Sequence, residues 1–233
     1  MAEAPVIAVD GPSGTGKGTL CVYLAHWLGW HLLESGALYR VLAYSAMARD
    51  MSLDDEAGLA ALAADLEVCF VQGRGAIRVM LHECEDISDQ IRTEECGNAA
   101  SKTAALQGVR EALLARQRGF RQAPGLIADG RDMGTVVFPD AQLKVFLTAS
   151  PEERAKRRYK QLKEQGISVN LARLSVEISE RDARDTGRTL SPLLPAADAI
   201  VIDSTDLDAG AVCGRVSELV RQIFPGIPET GAG

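Results

Sequence analysis

The chain carries two hydrophobic rhythms in alternation. Short, almost wholly apolar runs rich in β-branched residues occupy positions 6–10, 31–33, 126–129, 143–147 and 199–203. Runs this short and this continuous predict strands buried on both faces of a parallel sheet. Between them the spacing lengthens to helical. Residues 19–28 carry Leu20, Leu24 and Leu28, and residues 38–51 carry Leu38, Leu42 and Met47. Further helices are predicted over about 98–120 or 101–120, from Ser150-Pro151-Glu152-Glu153 onward, and over 209–223. The serine, the proline and the two acids are each suited to a first helical turn. Asp54-Asp55-Glu56 predicts one more solvated helix start. Five strands separated by helices predict an α/β domain with a five-stranded parallel sheet. One segment departs from the alternation. The β-type runs 66–71 and 76–82, joined by the turn residues 72–75, predict a hairpin, with 85–87 as a third strand. A second turn is expected at 165–168, and the tail 225–233 has the composition of a frayed end.

Composition narrows the function classes. The 233 residues are 46% hydrophobic and 24% charged, enough for one core with insertions. The 25 basic and 32 acidic residues leave a net charge of −7. With 5% aromatic residues as well, an RNA-binding module is disfavoured, as is attraction to anionic lipid. No apolar run approaches the roughly 20 residues of a membrane span, and the first residues lack a signal-peptide pattern, so a cytosolic protein is expected. The five cysteines are scattered, which argues against a disulfide framework or a zinc site. His26, His31 and His82 share no spacing, and Trp27 and Trp30 are expected to pack in the core.

The turn after the first strand is Gly11-Pro12-Ser13-Gly14-Thr15-Gly16-Lys17-Gly18-Thr19. Glycines let a backbone curl so that successive N–H groups face one anion, and the following helix adds its positive end. Lys17 then stands beside the β- and γ-phosphates of a nucleotide. Gly18 occupies the position where P-loops generally carry a hydroxyl, and the hydroxyl arrives one residue later at Thr19. Magnesium is therefore expected through water, nucleotide oxygens and carboxylates, without a direct protein ligand.

A second anion is expected at the same sheet edge. Ser35 and Arg40 follow the second strand, and Arg131 and Asp132 follow the strand that closes on Asp129, on the side where open α/β sheets bind ligands. Leu171, Leu174 and Ile178 lie on one helical face, which continues into Arg181, Asp185 and Arg188. A face that turns from apolar to charged points its far end at a wet cleft or a ligand. Arg154, Arg157 and Arg158 add positive charge, so 152–188 has the makings of an arginine-bearing helical hairpin able to close over phosphates.

At these residues the chain resembles the bacterial cytidylate kinases, of the nucleoside-monophosphate kinase group. The resemblance runs over about 6–224 and is most specific at 10–19, 33–40, 127–139 and 191–198. It implies a P-loop kinase fold with a five-stranded parallel sheet, a small antiparallel β insertion and a helical lid. The core would be about 5–34, 103–150 and 189–224, the monophosphate-binding region 35–102 and the lid 152–188. Residues 11–19 (Gly11, Pro12, Ser13, Gly14, Thr15, Gly16, Lys17, Gly18, Thr19) with Arg157 would hold ATP. Ser35, Arg40, Arg131 and Arg188 would surround the CMP phosphate, together with Tyr39 and Asp129. Ser101, Arg110 and Asp132 would read the cytosine, and Arg181 and Asp185 would hold the sugar. Lys17, Arg131, Arg181 and Arg188 would be the catalytic charges. The implied reaction passes the γ-phosphoryl group of ATP, as its magnesium complex, to CMP and also dCMP, in a monomer. A uridylate, adenylate or shikimate kinase is the nearer alternative. A regulatory GTPase would need an Asn-Lys-x-Asp motif, which is absent.

Overall fold

The computed structural model describes residues 3–72, 77–81, 85–164, 166 and 168–226. The five apolar runs become β1 (Val6–Asp10), β2 (His31–Glu34), β6 (Leu126–Gly130), β7 (Leu143–Thr148) and β8 (Ile200–Asp203), all parallel and ordered β2-β6-β1-β7-β8. Every residue of β1 and β6 is buried. Ile7 and Val9 face Leu20 and Leu24 of α1 (Lys17–Leu28) and Val212, Val216 and Val220 of α8 (Ala209–Ile223). Val6 and Ala8 face the other way, onto Leu38, Met133 and Phe138. Two-sided burial is the reason these strands show no polar alternation. The edge strand β8 does alternate, with Ile202 buried and Val201 exposed.

The chain leaves β1 toward β2 at one end of the sheet and reaches β8 from β7 at the other. The carboxyl end of β1 therefore opens onto the crevice where α/β folds bind ligands. Register brings three acids to that edge, because Glu34 pairs with Asp129, and Asp10 lies beside Gly130.

A second sheet, antiparallel and ordered β3-β4-β5, comprises β3 (Val68–Gln72), β4 (Ile77–Leu81) and β5 (Glu85–Asp86). The hairpin turn 73–76, residues 82–84, Gln165 and Ile167 of the second turn, and the tail 227–233 lie outside the described residues. Val79, Leu81, Ile87 and Ile91 close a separate core with α2 (Ser35–Met47), α3 (Glu56–Ala64), α4 (Glu94–Thr103) and α5 (Gln107–Gly119). The remaining helices, α6 (Pro151–Glu164) and α7 (Leu171–Thr186), pack on each other as a hairpin. As expected, the Ser150 hydroxyl accepts from the Glu153 N–H at the start of α6, and Asp55 accepts from the Gly58 N–H at the start of α3.

Several boundaries differ from the sequence reading. The single helix expected over 98–120 is two, because Leu106 is extended and α5 restarts after it. α4 also begins earlier, where the Thr93 hydroxyl accepts from the Cys96 N–H. α2 starts at Ser35 rather than at residue 38, and it stops at Met47 because Asp50 adopts a left-handed conformation with φ 52°. The third strand ends at Asp86, and Ile87 turns into the core. Leu171, expected inside, is exposed, so the buried face of α7 begins at Leu174. A wide π turn, Met133–Val137, follows β6 and had no signal in the periodicity.

Candidate active site

The turn curls at its glycines, where no side chain prevents it. Gly11 has φ 142°, and a Cβ there would sit 2.0 Å from the Leu147 carbonyl oxygen. Gly16, at φ 95°, caps the start of α1. Lys17, the first residue of that helix, is buried, and its Nζ donates to the Pro12 carbonyl at 2.7 Å. Burial, reinforced by the like charge of Arg131, lowers its pKa to about 7. Burial likewise raises Asp129 and Glu34, both of which lie within Lys17's field. A lysine that is only partly charged before a polyphosphate arrives should regain its proton when one binds. At pH 8, where the nucleotide phosphates are already ionised, ATP binding is expected to take up a proton. Calorimetry in buffers of different ionisation enthalpy reads that uptake, and Lys17→Met should abolish it.

Opposite the loop, α7 brings Asp185 to the carboxyl end of β6. The carboxylate is fully buried between two guanidinium groups: Arg131 Nε donates to Oδ2 at 3.0 Å, and Arg188 donates to Oδ1. Burial alone would raise Asp185, but the fields of Arg131, Arg188 and Arg181 outweigh it and hold the carboxyl below its ordinary value. Arg188 sits beyond the end of α7, yet it still reaches the same acid. The Leu193 N–H, donating to the Asp185 carbonyl at 2.9 Å, folds the segment after the helix back onto it. Arg181 is pushed down to about 9 by burial and by Arg131 and Arg40, and its buried Nε has no hydrogen-bond partner among the described residues. Arg40, reaching over from α2, donates to the Ile91 and Thr93 carbonyls at 2.7 and 3.1 Å. Ser35 packs against Gly130 so closely that a Cβ on that glycine would lie 2.7 Å from the hydroxyl oxygen.

Farther from the loop, the Arg110 guanidinium pairs with the buried Asp132 carboxylate and donates to the Ala104 carbonyl at 3.1 Å. It also lies 5.9 Å above the ring centre of Tyr39, a cation–π distance. Asp10 holds the backbone on which Asp132 rides, accepting from the Met133 and Gly134 N–H groups at 2.8 Å each. Burial raises Asp10 to about 6, against the pull of those two bonds. Ser101 lies buried on α4, where its hydroxyl accepts from Arg184 Nε of α7 at 3.3 Å.

The hairpin α6–α7 is tied down on both sides. Buried Arg154 bridges the Ser13 carbonyl at 3.2 Å and the Asp182 carboxylate. Arg157 spans Glu153, the Ser204 hydroxyl and carbonyl, and the Thr15 carbonyl. Arg158 pairs with Glu94 of α4. Between hairpin, loop and α8 lies a cleft of about 820 Å³ lined by Ser13–Gly16, Arg40, Arg157, Arg181 and 205–209.

The structure thus brings the sequence-predicted residues into one track. Lys17 feels Arg131, Arg131 and Arg188 share Asp185, Arg188 feels Arg110, and Arg110 pairs with Asp132. Arg181 lies one turn before Asp185 on α7, but among the described residues the hydrogen bonds to the Asp185 carboxylate come from Arg131 and Arg188. Sequence reasoning missed Asp10 as a turn anchor, Arg184, and the 205–209 wall. Only the last had a usable signal, since it follows a strand at the ligand edge of the sheet.

A parallel sheet with a P-loop at the carboxyl end of its central strand, faced by an arginine-bearing helical hairpin, defines a P-loop kinase fold. A sequence model of one such family, cytidylate kinase, matches residues 7–222, and the chain belongs to that family. It is 63% identical to the cytidylate kinase of Aeromonas hydrophila over 94% of this chain and 95% of that one. To the cytidylate kinase of Shewanella frigidimarina it is 59% identical over 94% of this chain and 96% of that one. To that of Klebsiella pneumoniae it is 57% identical over 95% and 97% respectively. No helix among the described residues is long and apolar enough to cross a membrane.

Proposed function

We infer that the protein transfers the γ-phosphoryl group of ATP to CMP, giving ADP and CDP. The observation that carries this is the continuous charged track from Lys17 through Arg131, Asp185 and Arg188 to the buried Arg110–Asp132 pair. One end suits a triphosphate, the middle a second phosphate, and the far end a base with adjoining donor and acceptor groups. ATP takes the loop 11–19 and Arg157, and CMP takes the remaining track with Ser35, Tyr39, Arg40 and Ser101. The sugar lies by Arg181 and Asp185. The chain divides accordingly into a sheet core, an acceptor-binding part and the α6–α7 lid.

The nucleophile is a phosphate oxygen whose second pKa is about 6, so it is ionised at neutral pH and no general base is required. What the side chains supply is position and countercharge. Two anions that repel in water are held end to end by Lys17 on one side and Arg131, Arg181 and Arg188 on the other. Lid contacts such as Arg154 with Ser13 exclude the water that would otherwise hydrolyse ATP. Magnesium fits the hard oxygens near the loop. These are the Thr19 hydroxyl and the buried Asp129 carboxylate, whose Oδ2 lies 3.9 Å from where a Gly18 Cβ would be. When bound, the ion neutralises charge on the β- and γ-phosphates.

Cytosine presents an amine where uracil presents a carbonyl. Asp132 accepts from the amine, while uracil would place an acceptor against an acceptor in a buried site. A coupled assay over CMP, dCMP, UMP and AMP tests the reading. CMP is expected to exceed UMP in kcat/KM by at least about 100-fold, and Asp132→Ala to cut that ratio to within about tenfold. Equal use of CMP and UMP by the unmodified protein would overturn the assignment.

A further inference from the structure

We propose that Arg184 is a positioning residue for pyrimidine discrimination: from the lid helix it fixes the Ser101 hydroxyl as a proton donor toward the base. This rests on the cytidylate reading of the site.

Hydroxyls inside helices can bond back to a carbonyl of the preceding turn. Here Ser175 donates to Leu171 at 3.0 Å, Ser179 to Ser175 at 2.9 Å and Thr103 to Ala100 at 3.2 Å. Like the buried Ser217 hydroxyl of α8, which meets the Tyr23 hydroxyl at 3.2 Å instead, the buried Ser101 hydroxyl makes no such bond. Its one hydrogen bond among the described residues is the one it accepts, from Arg184 Nε at 3.3 Å. Arg184 Nη2 also donates to Asn98 Oδ1 at 3.4 Å. Asn98 and Ser101 are three apart on α4 and so share a face, which the planar guanidinium spans.

A hydroxyl has one proton and two lone pairs. A guanidinium can only donate, so wherever Arg184 contacts the oxygen it occupies a lone pair and turns the proton away from itself. The proton is then left for whatever lies in the acceptor site. Cytosine N3 is an acceptor and satisfies it, whereas uracil N3 carries a proton of its own and opposes it. Asp132 thus discriminates at the exocyclic group and Ser101 at the ring nitrogen. Ser101 is not a fixed donor by chemistry, and without Arg184 the hydroxyl can rotate and accept from uracil. Because Arg184 belongs to α7 and Ser101 to α4, this orientation exists only while the lid lies against the acceptor-binding part.

The test compares kcat/KM for CMP and UMP in Arg184→Met, Arg184→Lys and Ser101→Ala, and in the double variant Arg184→Met with Ser101→Ala. Arg184→Met is expected to lower the CMP-to-UMP ratio about tenfold, through a higher KM for CMP and a lower one for UMP, with KM for ATP unchanged. Arg184→Lys, which still donates to the hydroxyl, should recover most of the ratio. In the Ser101→Ala background, Arg184→Met should leave the ratio where Ser101→Ala put it. If Arg184→Met slows both substrates by the same factor, or if its effect on the ratio persists without the hydroxyl, the proposal is wrong and Arg184 merely braces the lid. Should the unmodified protein show no CMP preference, the cytidylate reading itself fails, a different result from either of these.

Discussion

Lys17→Met is expected to lower kcat roughly 10²–10³-fold while shifting the KM for CMP by less than about threefold. The physical reason is the environment of the ammonium. Lys17 is buried, has the Pro12 carbonyl as its hydrogen-bond partner, and sits in the field of Arg131, so its pKa falls from 10.5 to about 7. A charge held at that disadvantage gains most when negative charge builds beside it, as it does on the transferred phosphoryl group. The same numbers fix a stability signature in the ligand-free protein. The folded value lies below the ordinary one, so between pH 7 and 10.5 the unfolded chain binds more protons than the folded one. Stability from this group therefore rises with pH across that window, and the cost of burying the charge is fully present below it. Urea titrations should show that rise in the wild type and a flatter profile in Lys17→Met, which unfolds no more readily at pH 7. A variant that retains near-normal turnover would remove Lys17 from the chemistry.

Most of the core was legible because parallel strands buried on both faces leave an unambiguous apolar record. All five lie within a residue of their expected limits, with β1 matching throughout. Arg131, Asp132, Arg181, Asp185 and Arg188 were legible for a different reason, since charge at the end of a strand or along an otherwise apolar face has few structural uses. What escaped were features decided by tertiary contact. The break between α4 and α5 contains no glycine or proline, only Ala104, Ala105 and the extended Leu106, and the Ala104 carbonyl is taken by Arg110. The π turn after β6 depends on Asp10 of another strand accepting two of its N–H groups. Arg184 carries no signal in the sequence, because its partner lies 83 residues earlier.

The Asp185 site carries the other large expectation. Asp185→Asn preserves the shape of the side chain but replaces one carboxylate oxygen by an amide nitrogen. Both oxygens are in use, by Arg131 and Arg188, so one guanidinium must then face a donor, and the two arginines repel without a charge between them. Removing one partner of a buried ionic group costs on the order of 3–5 kcal/mol. Part of that should appear as lost stability and part as misplaced countercharge around the acceptor phosphate. A fall in kcat/KM for CMP of about 10²–10³-fold is expected, with a smaller fall in affinity for ATP. Arg131→Ala should behave similarly, and the double variant should lose much less than the product of the two, because each single change already dismantles the same cluster. Acid titration separates the stability share. The carboxyl of Asp185 is held below its usual 3.8 by its arginines, so its contribution is present above that value and disappears as pH falls through the depressed one. Wild type and Asp185→Asn should therefore converge in stability toward strong acid. Fully multiplicative losses in the double variant would mean that Asp185 and Arg131 act independently, and the buried triad would not be the unit that presents positive charge to the substrate.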